Sequence, residues 1–118
     1  MKRLLYYTIL LSISSLLLLT NCKKEAEDTV DCAFVGLKVD FSYEYNEEPA
    51  PVIVNFKNES ENADKFEWNF GTDDRSTLTE PSYEYEKAGN YKVTLKGIHT
   101  LPNGDQCFLS KTKEIIIQ

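Results

Sequence analysis

Histidine, tryptophan and methionine each occur once in this chain of 118 residues, and cysteine occurs three times. One histidine and three cysteines cannot supply a zinc cluster of the usual spacing. Basic residues are also scarce. Thirteen lysines and arginines face 19 aspartates and glutamates, for a formal net charge of −6. Nucleic acid demands a cationic face that displaces counterions, so the acidic balance argues against it as a partner class. No stretch sustains a helical period, and the length leaves no room for two large cores. Apolar residues reach 42%, enough for one packed core and too many for a disordered chain.

Residues 1–21 stand apart from the rest. Lys2 and Arg3 lead into an uncharged run, 4–19, rich in leucine and isoleucine. This is the layout of a secretory signal peptide. A membrane-spanning helix needs about 20 apolar residues, and this run is shorter and broken by Thr8, Ser12, Ser14 and Ser15. Leu19-Thr20-Asn21-Cys22 resembles the lipobox of bacterial lipoproteins, with Asn21 where glycine, alanine or serine is usual. That resemblance implies cleavage before Cys22, diacylation of its sulfur and acylation of its new amino group, palmitate being a typical chain. Two or more acyl chains hold a protein stably at a membrane. The alternative is an ordinary secretory peptide with Cys22 in a disulfide.

Residues 22–33 carry Lys23-Lys24-Glu25-Ala26-Glu27-Asp28 and have no hydrophobic period, so they read as an acidic tether. The lysine-then-acid order also resembles the surface-export signal of some Gram-negative lipoproteins. The implied location is the outer membrane, facing the cell exterior. A plain solvated linker, on a protein facing the periplasm, is the alternative.

From Leu37 the pattern changes to strict alternation. Leu37, Val39, Phe41, Tyr43 and Tyr45 fall on one side, with Lys38, Asp40, Ser42 and Glu44 on the other. That spacing predicts a half-buried strand over 37–45. Two prolines, Pro49 and Pro51, close it with a turn. Val52, Val54 and Phe56 form a second alternating set, and Phe66, Trp68 and Phe70 a third. The stretch 76–85 predicts two short strands around Pro81. Lys87-Ala88-Gly89-Asn90 reads as a turn before Tyr91, Val93 and Leu95. Pro102-Asn103-Gly104-Asp105 is a hairpin signal, since Asn-Gly accepts positive φ. The last run, 106–118, ends in Ile115-Ile116-Ile117. Six or seven short strands at this spacing predict an all-β, antiparallel sandwich over 34–118. Trp68 should sit at its centre, with an acceptor for the indole N–H.

Three blocks in this order resemble the polycystic kidney disease (PKD) domain family. Phe66-Glu67-Trp68-Asn69-Phe70-Gly71 matches the family's Tyr-x-Trp-Asp-Phe-Gly-Asp-Gly pattern. Pro81-Ser82-Tyr83-Glu84-Tyr85 and Gly89-Asn90-Tyr91-Lys92-Val93-Thr94-Leu95 match the two segments that follow it. Asn69 replaces an aspartate, Thr72-Asp73-Asp74 replaces Asp-Gly, and Tyr83 stands where histidine is common. The resemblance implies an immunoglobulin-like sandwich of about residues 37–118. Tyr91, just past Gly89, occupies the place of a tyrosine corner, whose hydroxyl ties to nearby backbone.

With Cys22 acylated, Cys32 and Cys107 remain. The envelope is oxidising, and in such sandwiches the first strand can run parallel to the last, so an internal Cys32–Cys107 disulfide is expected. Two free thiols, or pairing across a dimer, are the alternatives.

Chemistry is thin. His99 lies near a strand end without a nucleophile-elbow motif around it. Glu47/Glu48 and Asp73/Asp74 are carboxylate pairs on turns, and a glycosidase needs its two carboxylates across a cleft. Asp73 and Asp74 are a weak candidate for calcium, which favours loop oxygens. The repeat of Ser42-Tyr43-Glu44-Tyr45 as Ser82-Tyr83-Glu84-Tyr85 reads as core strands, with aromatic sugar platforms as the alternative.

The expected function is therefore non-catalytic. It is a membrane-anchored interaction or adhesion module for a protein or carbohydrate, with no cofactor beyond its lipid. The alternatives are a glycan-binding accessory of a polysaccharide uptake system, a calcium-stabilised spacer and a small hydrolase. Cleavage at Cys22 leaves 97 residues and removes two basic ones, so 11 basic face 19 acidic residues and the net charge becomes −8. The cysteine assignment makes a direct prediction. The mature chain should take up no alkylating reagent before reduction, and an intact mass showing two alkylated thiols would overturn the pairing.

Overall fold

The structure, a computed structural model, describes residues 34–118. The expected signal peptide 1–21, the lipidation site Cys22, the tether and Cys32 lie outside the described residues. Seven strands follow one another: β1 Phe41–Glu44, β2 Val52–Asn58, β3 Lys65–Asn69, β4 Arg75–Ser76, β5 Ser82–Tyr85, β6 Gly89–Thr100 and β7 Gln106–Ile117. Among the described residues there is no helix. One sheet has the order β1-β2-β5 and the other β4-β3-β6-β7, every pair antiparallel.

The period-2 pattern decides which side chains fill the space between the sheets. Val52, Val54 and Phe56 of β2 are buried, while the alternate residues Ile53, Asn55 and Lys57 are exposed. Trp68 of β3 pairs with Leu95 of β6, and both face inward. Phe41, Phe70, Tyr85, Val93, Ile115 and Ile117 complete the cluster. The Trp68 ring meets Phe41 and Phe56 at centroid distances of 5.2 and 5.3 Å, edge-on to the first and tilted to the second. Offset and edge-to-face geometries suit the ring quadrupoles better than a face-to-face stack. These contacts cross from one sheet to the other, so the aromatic cluster is what holds the layers together.

Two strand boundaries differ from the alternation. The ladder of the first strand covers Phe41–Glu44 and not 37–45. Leu37 is buried and Val39 half-buried, as the alternation requires. Their backbone has left β2, however, and bridges instead at Lys38 to Glu61. Val39 then lies directly over Gly97 of the other sheet, where an added Cβ would come within 2.6 Å of its side chain. Glycine at 97 is what admits the incoming segment. At the other end, Gly89 and Asn90 begin β6 and do not form a turn, because Ile117 and Ile116 pair with them. The hairpin signal holds: Leu101 N–H donates to Asp105 O at 2.8 Å, and Gly104 has φ 92°.

No ladder joins β1 to β7 among the described residues. They run in the same direction along one edge, tied by side chains and, past the strand ends, by one backbone bond. Lys113 Nζ donates to Phe41 O and pairs with Asp40 at 3.1 Å. Tyr45 donates to Ile116 O at 2.9 Å, and Ala50 N–H donates to Gln118 O at 2.8 Å.

Trp68→Ala removes the largest inter-sheet side chain and leaves a void that backbone strands cannot close. A loss of about 3–5 kcal/mol is expected, read as a lower midpoint in urea. An unchanged midpoint would show that the indole is not central.

Candidate functional site

The motif residues gather at one end of the sandwich, on β3, β5, β6 and the loops between them. Gly71 follows β3 with φ 78°, and a Cβ there would sit 2.9 Å from the Lys92 backbone nitrogen and oxygen. Only glycine meets both demands, positive φ and close approach to β6. Asn69 Oδ1 accepts from Gly71 N–H at 3.0 Å and fixes the turn. The amide therefore performs the local role open to the aspartate that family members carry there.

Beyond Gly71, polar groups meet aromatic ones. The Tyr83 hydroxyl bonds Thr72 Oγ1 at 3.0 Å and donates to Asp74 Oδ2 at 2.7 Å. Thr72 pulls the Tyr83 hydroxyl down, but burial and the bond to the Asp74 carboxylate outweigh it and leave the phenol above its ordinary range. Tyr85 donates to Phe70 O at 2.8 Å in the interior, and burial pushes its hydroxyl far above the usual phenol value. Tyr91 donates to Lys87 O at 2.7 Å, the expected tyrosine corner. Trp68 Nε1 donates to Leu78 O at 2.9 Å, so the buried indole has its acceptor. Phe66 and Val93 pack beside these groups without polar contacts of their own.

The two Ser-Tyr-Glu-Tyr repeats occupy the inner sides of β1 and β5 and their margins. Tyr43 pairs with Phe56, Tyr83 with Val54 and Tyr85 with Val52. Their rings join one continuous aromatic series, with Tyr83 stacked on Phe70 at 4.4 Å. They are core strands and not outward platforms.

The remaining candidates are scattered. Asp74 is engaged by Tyr83, and Asp73 is exposed on the turn. Among the described residues no group of three or more His, Cys, Asp or Glu is placed to hold a metal ion. His99 Nδ1 bonds Asn62 O at 2.8 Å and lies 3.8 Å from Asp64 Oδ2. The Asp64 carboxylate also accepts from Thr100 N–H at 2.6 Å. This group locks the end of β6 to the loop before β3. Glu47 and Glu48 are exposed on the β1–β2 turn. Cys107 is buried and pairs in register with His99. It is the only cysteine among the described residues.

One pair escaped the sequence reading. Asp40 accepts from Phe41 N–H at 2.8 Å and from Lys113, and these contacts hold its carboxyl below the usual carboxylate value. A signal for Lys113 does exist. Lys111 and Lys113 share the parity of Ile115 and Ile117 on β7, which puts lysine on the core side of an otherwise apolar row.

The chain folds as an immunoglobulin-like β-sandwich whose motif residues serve its own packing and whose surface carries shallow, open depressions. The family model of the PKD domain matches residues 42–108, and the chain belongs to that family. Among solved structures it is similar to the PKD1 domain of the Vibrio cholerae metalloprotease PrtV, at 30% identity and TM-score 0.48, covering 68% of this chain and 96% of that one. It is also similar to the PKD1 domain of Vibrio anguillarum Epp, at 24% identity and TM-score 0.46, covering 68% and 95%. No curated protein matches the chain. PKD domains are in general non-catalytic interaction modules of extracellular or surface-associated proteins.

The depressed Asp40 pKa gives stability a sign with pH. The ionised form is favoured in the folded state, so its contribution is present above the unfolded value near 4. It is lost as pH falls through the lower folded value. Asp40→Asn should therefore flatten the fall in melting temperature between about pH 5 and pH 3. Parallel wild-type and variant curves would refute the linkage.

Proposed function

We propose that this chain is a non-catalytic bacterial lipoprotein, anchored through acylated Cys22 and displayed on the cell surface, where its sandwich contacts a protein or polysaccharide partner. One observation carries the non-catalytic reading. The side chains able to do chemistry are committed to the fold itself: Tyr83 to Thr72 and Asp74, Tyr85 to Phe70, Tyr91 to Lys87, His99 to Asn62. A hydrolase needs a positioned nucleophile or two carboxylates flanking a cleft. What remains for function is the outward surface of the two sheets.

The lipid-anchored reading rests on the 1–22 sequence alone. It agrees with the extracellular setting of the family. Cys32 is the proposed partner of Cys107. Acylated Cys22 is unavailable, which leaves Cys32 and Cys107 as the pair in the sequence, and an oxidising envelope favours the bond.

Cells expressing the full chain and fed radiolabelled palmitate should yield a labelled, membrane-bound protein. Cys22→Ser should be unlabelled and released from the membrane. Protease added to intact cells should degrade the wild-type domain. A wild-type chain that stays unlabelled and soluble would overturn the anchor, and full protection from protease would place the domain on the periplasmic side.

A further inference from the structure

The two outward sheet faces differ in charge. On the three-stranded sheet, Glu44 and Glu84 face outward against Lys57. On the four-stranded sheet, the outward rows hold Lys65, Arg75, Lys92 and Lys96 against Glu67 and Glu114, about +2 in all. The described residues as a whole contain nine lysines and arginines and fifteen aspartates and glutamates, a net charge of −6. A cationic face on so acidic a domain is a segregation of charge, and such a face attracts anions.

A shallow, open groove of about 460 Å³ crosses this face between Arg75 and Lys96. Thr77, Thr94 and Ser110 line it with hydroxyls, and the Glu67 carboxylate lines it on the Lys96 side. The Lys96 ammonium lies 3.4 Å from Glu67 and 4.5 Å from the centre of the Phe108 ring. The Arg75 guanidinium, by contrast, enters no ion pair or side-chain hydrogen bond among the described residues. An exposed arginine with unspent donors, beside a second cation and a row of hydroxyls, is chemistry for a carboxylate carried on a hydroxylated chain.

We infer that this groove binds an anionic polysaccharide, seating the carboxylate of a uronic-acid unit on Arg75 with Lys96 beside it. The guanidinium fork matches a carboxylate with two parallel hydrogen bonds. The serine and threonine hydroxyls exchange hydrogen bonds with sugar hydroxyls. A flat groove suits an extended polymer more than a small ligand, which prefers a deep apolar pocket. Neutral sugars are read chiefly by stacking on outward aromatic rings; the tyrosines of β1, β5 and β6 face inward, and the exposed Phe108 ring on this face is capped by the Lys96 ammonium. This inference rests on the contact-module reading above and names the partner class of that module.

The test is affinity electrophoresis of the full chain, extracted in mild detergent as cells process it, through gels holding polygalacturonate, dextran or no polymer. Polygalacturonate should slow the protein, increasingly less as salt rises, and dextran should not. Arg75→Ala should lose affinity about tenfold or more at an unchanged melting temperature, in line with the loss of a charge-assisted hydrogen bond. Lys57→Ala, on the opposite face, should behave as wild type.

Equal slowing by dextran, or no effect of Arg75→Ala, would overturn the site. Equal retention by poly-glutamate would assign the face to an acidic peptide instead. A preference for phosphatidylglycerol over phosphatidylcholine vesicles that Arg75→Ala abolishes would assign it to lipid. The detergent-solubilised protein reports on the groove whether or not palmitate labels it. Failure here therefore leaves the anchor reading untouched, and failure of the anchor leaves this result standing.

Discussion

The burial of one indole between two sheets is the constraint on which the rest of this domain depends. Trp68 reaches from β3 across the layer to Phe41 and Phe56 of the opposing sheet, and its N–H is satisfied only by Leu78 O. A buried donor without an acceptor costs more than the hydrogen bond would give. The loop from β4 to β5 must therefore pass where Leu78 can present its carbonyl. That requirement fixes the turn after Gly71, and Gly71 can approach β6 only without a side chain. The aromatic series continues through Phe70, Tyr83, Tyr85 and Tyr91, each tyrosine anchored by its hydroxyl. Large rings bury much area for few residues, which matters in a domain this small.

Much of this was legible in the linear sequence because it is local. Alternation names the inward residues of β2, β3 and β6 correctly, and the tyrosine corner spans four residues from Tyr91 to Lys87. What stayed hidden is non-local. Nothing near Leu37 announces that its backbone abandons β2, since the cause is a glycine sixty positions later at 97. Asp40 and Lys113 look like ordinary solvated charges until β1 and β7 are laid along the same edge. The cationic groove was equally invisible. Arg75 comes from a two-residue strand and Lys96 from a twelve-residue one, and only pairing through β3 brings them together.

The division of labour between inside and outside follows from the same economy. The tyrosines of β1, β5 and β6 are turned inward, so the proposed recognition rests on charge and hydroxyls. A partner read by charge is held more strongly at low salt and exchanges quickly, which suits a contact module more than a permanent clamp.

The parallel course of β1 and β7 has a consequence for how far the domain reaches. Lys113 sits beside Phe41, Tyr45 beside Ile116 and Ala50 beside Gln118, so the two strands advance together from one pole to the other. Val39 lies over Gly97, in register with Leu109, while Gln118 marks the opposite pole. At about 3.4 Å per residue, the nine steps from 109 to 118 span roughly 30 Å. The sandwich acts as a strut, not a hairpin: whatever is joined to its incoming side is kept a fixed molecular length away from residue 118.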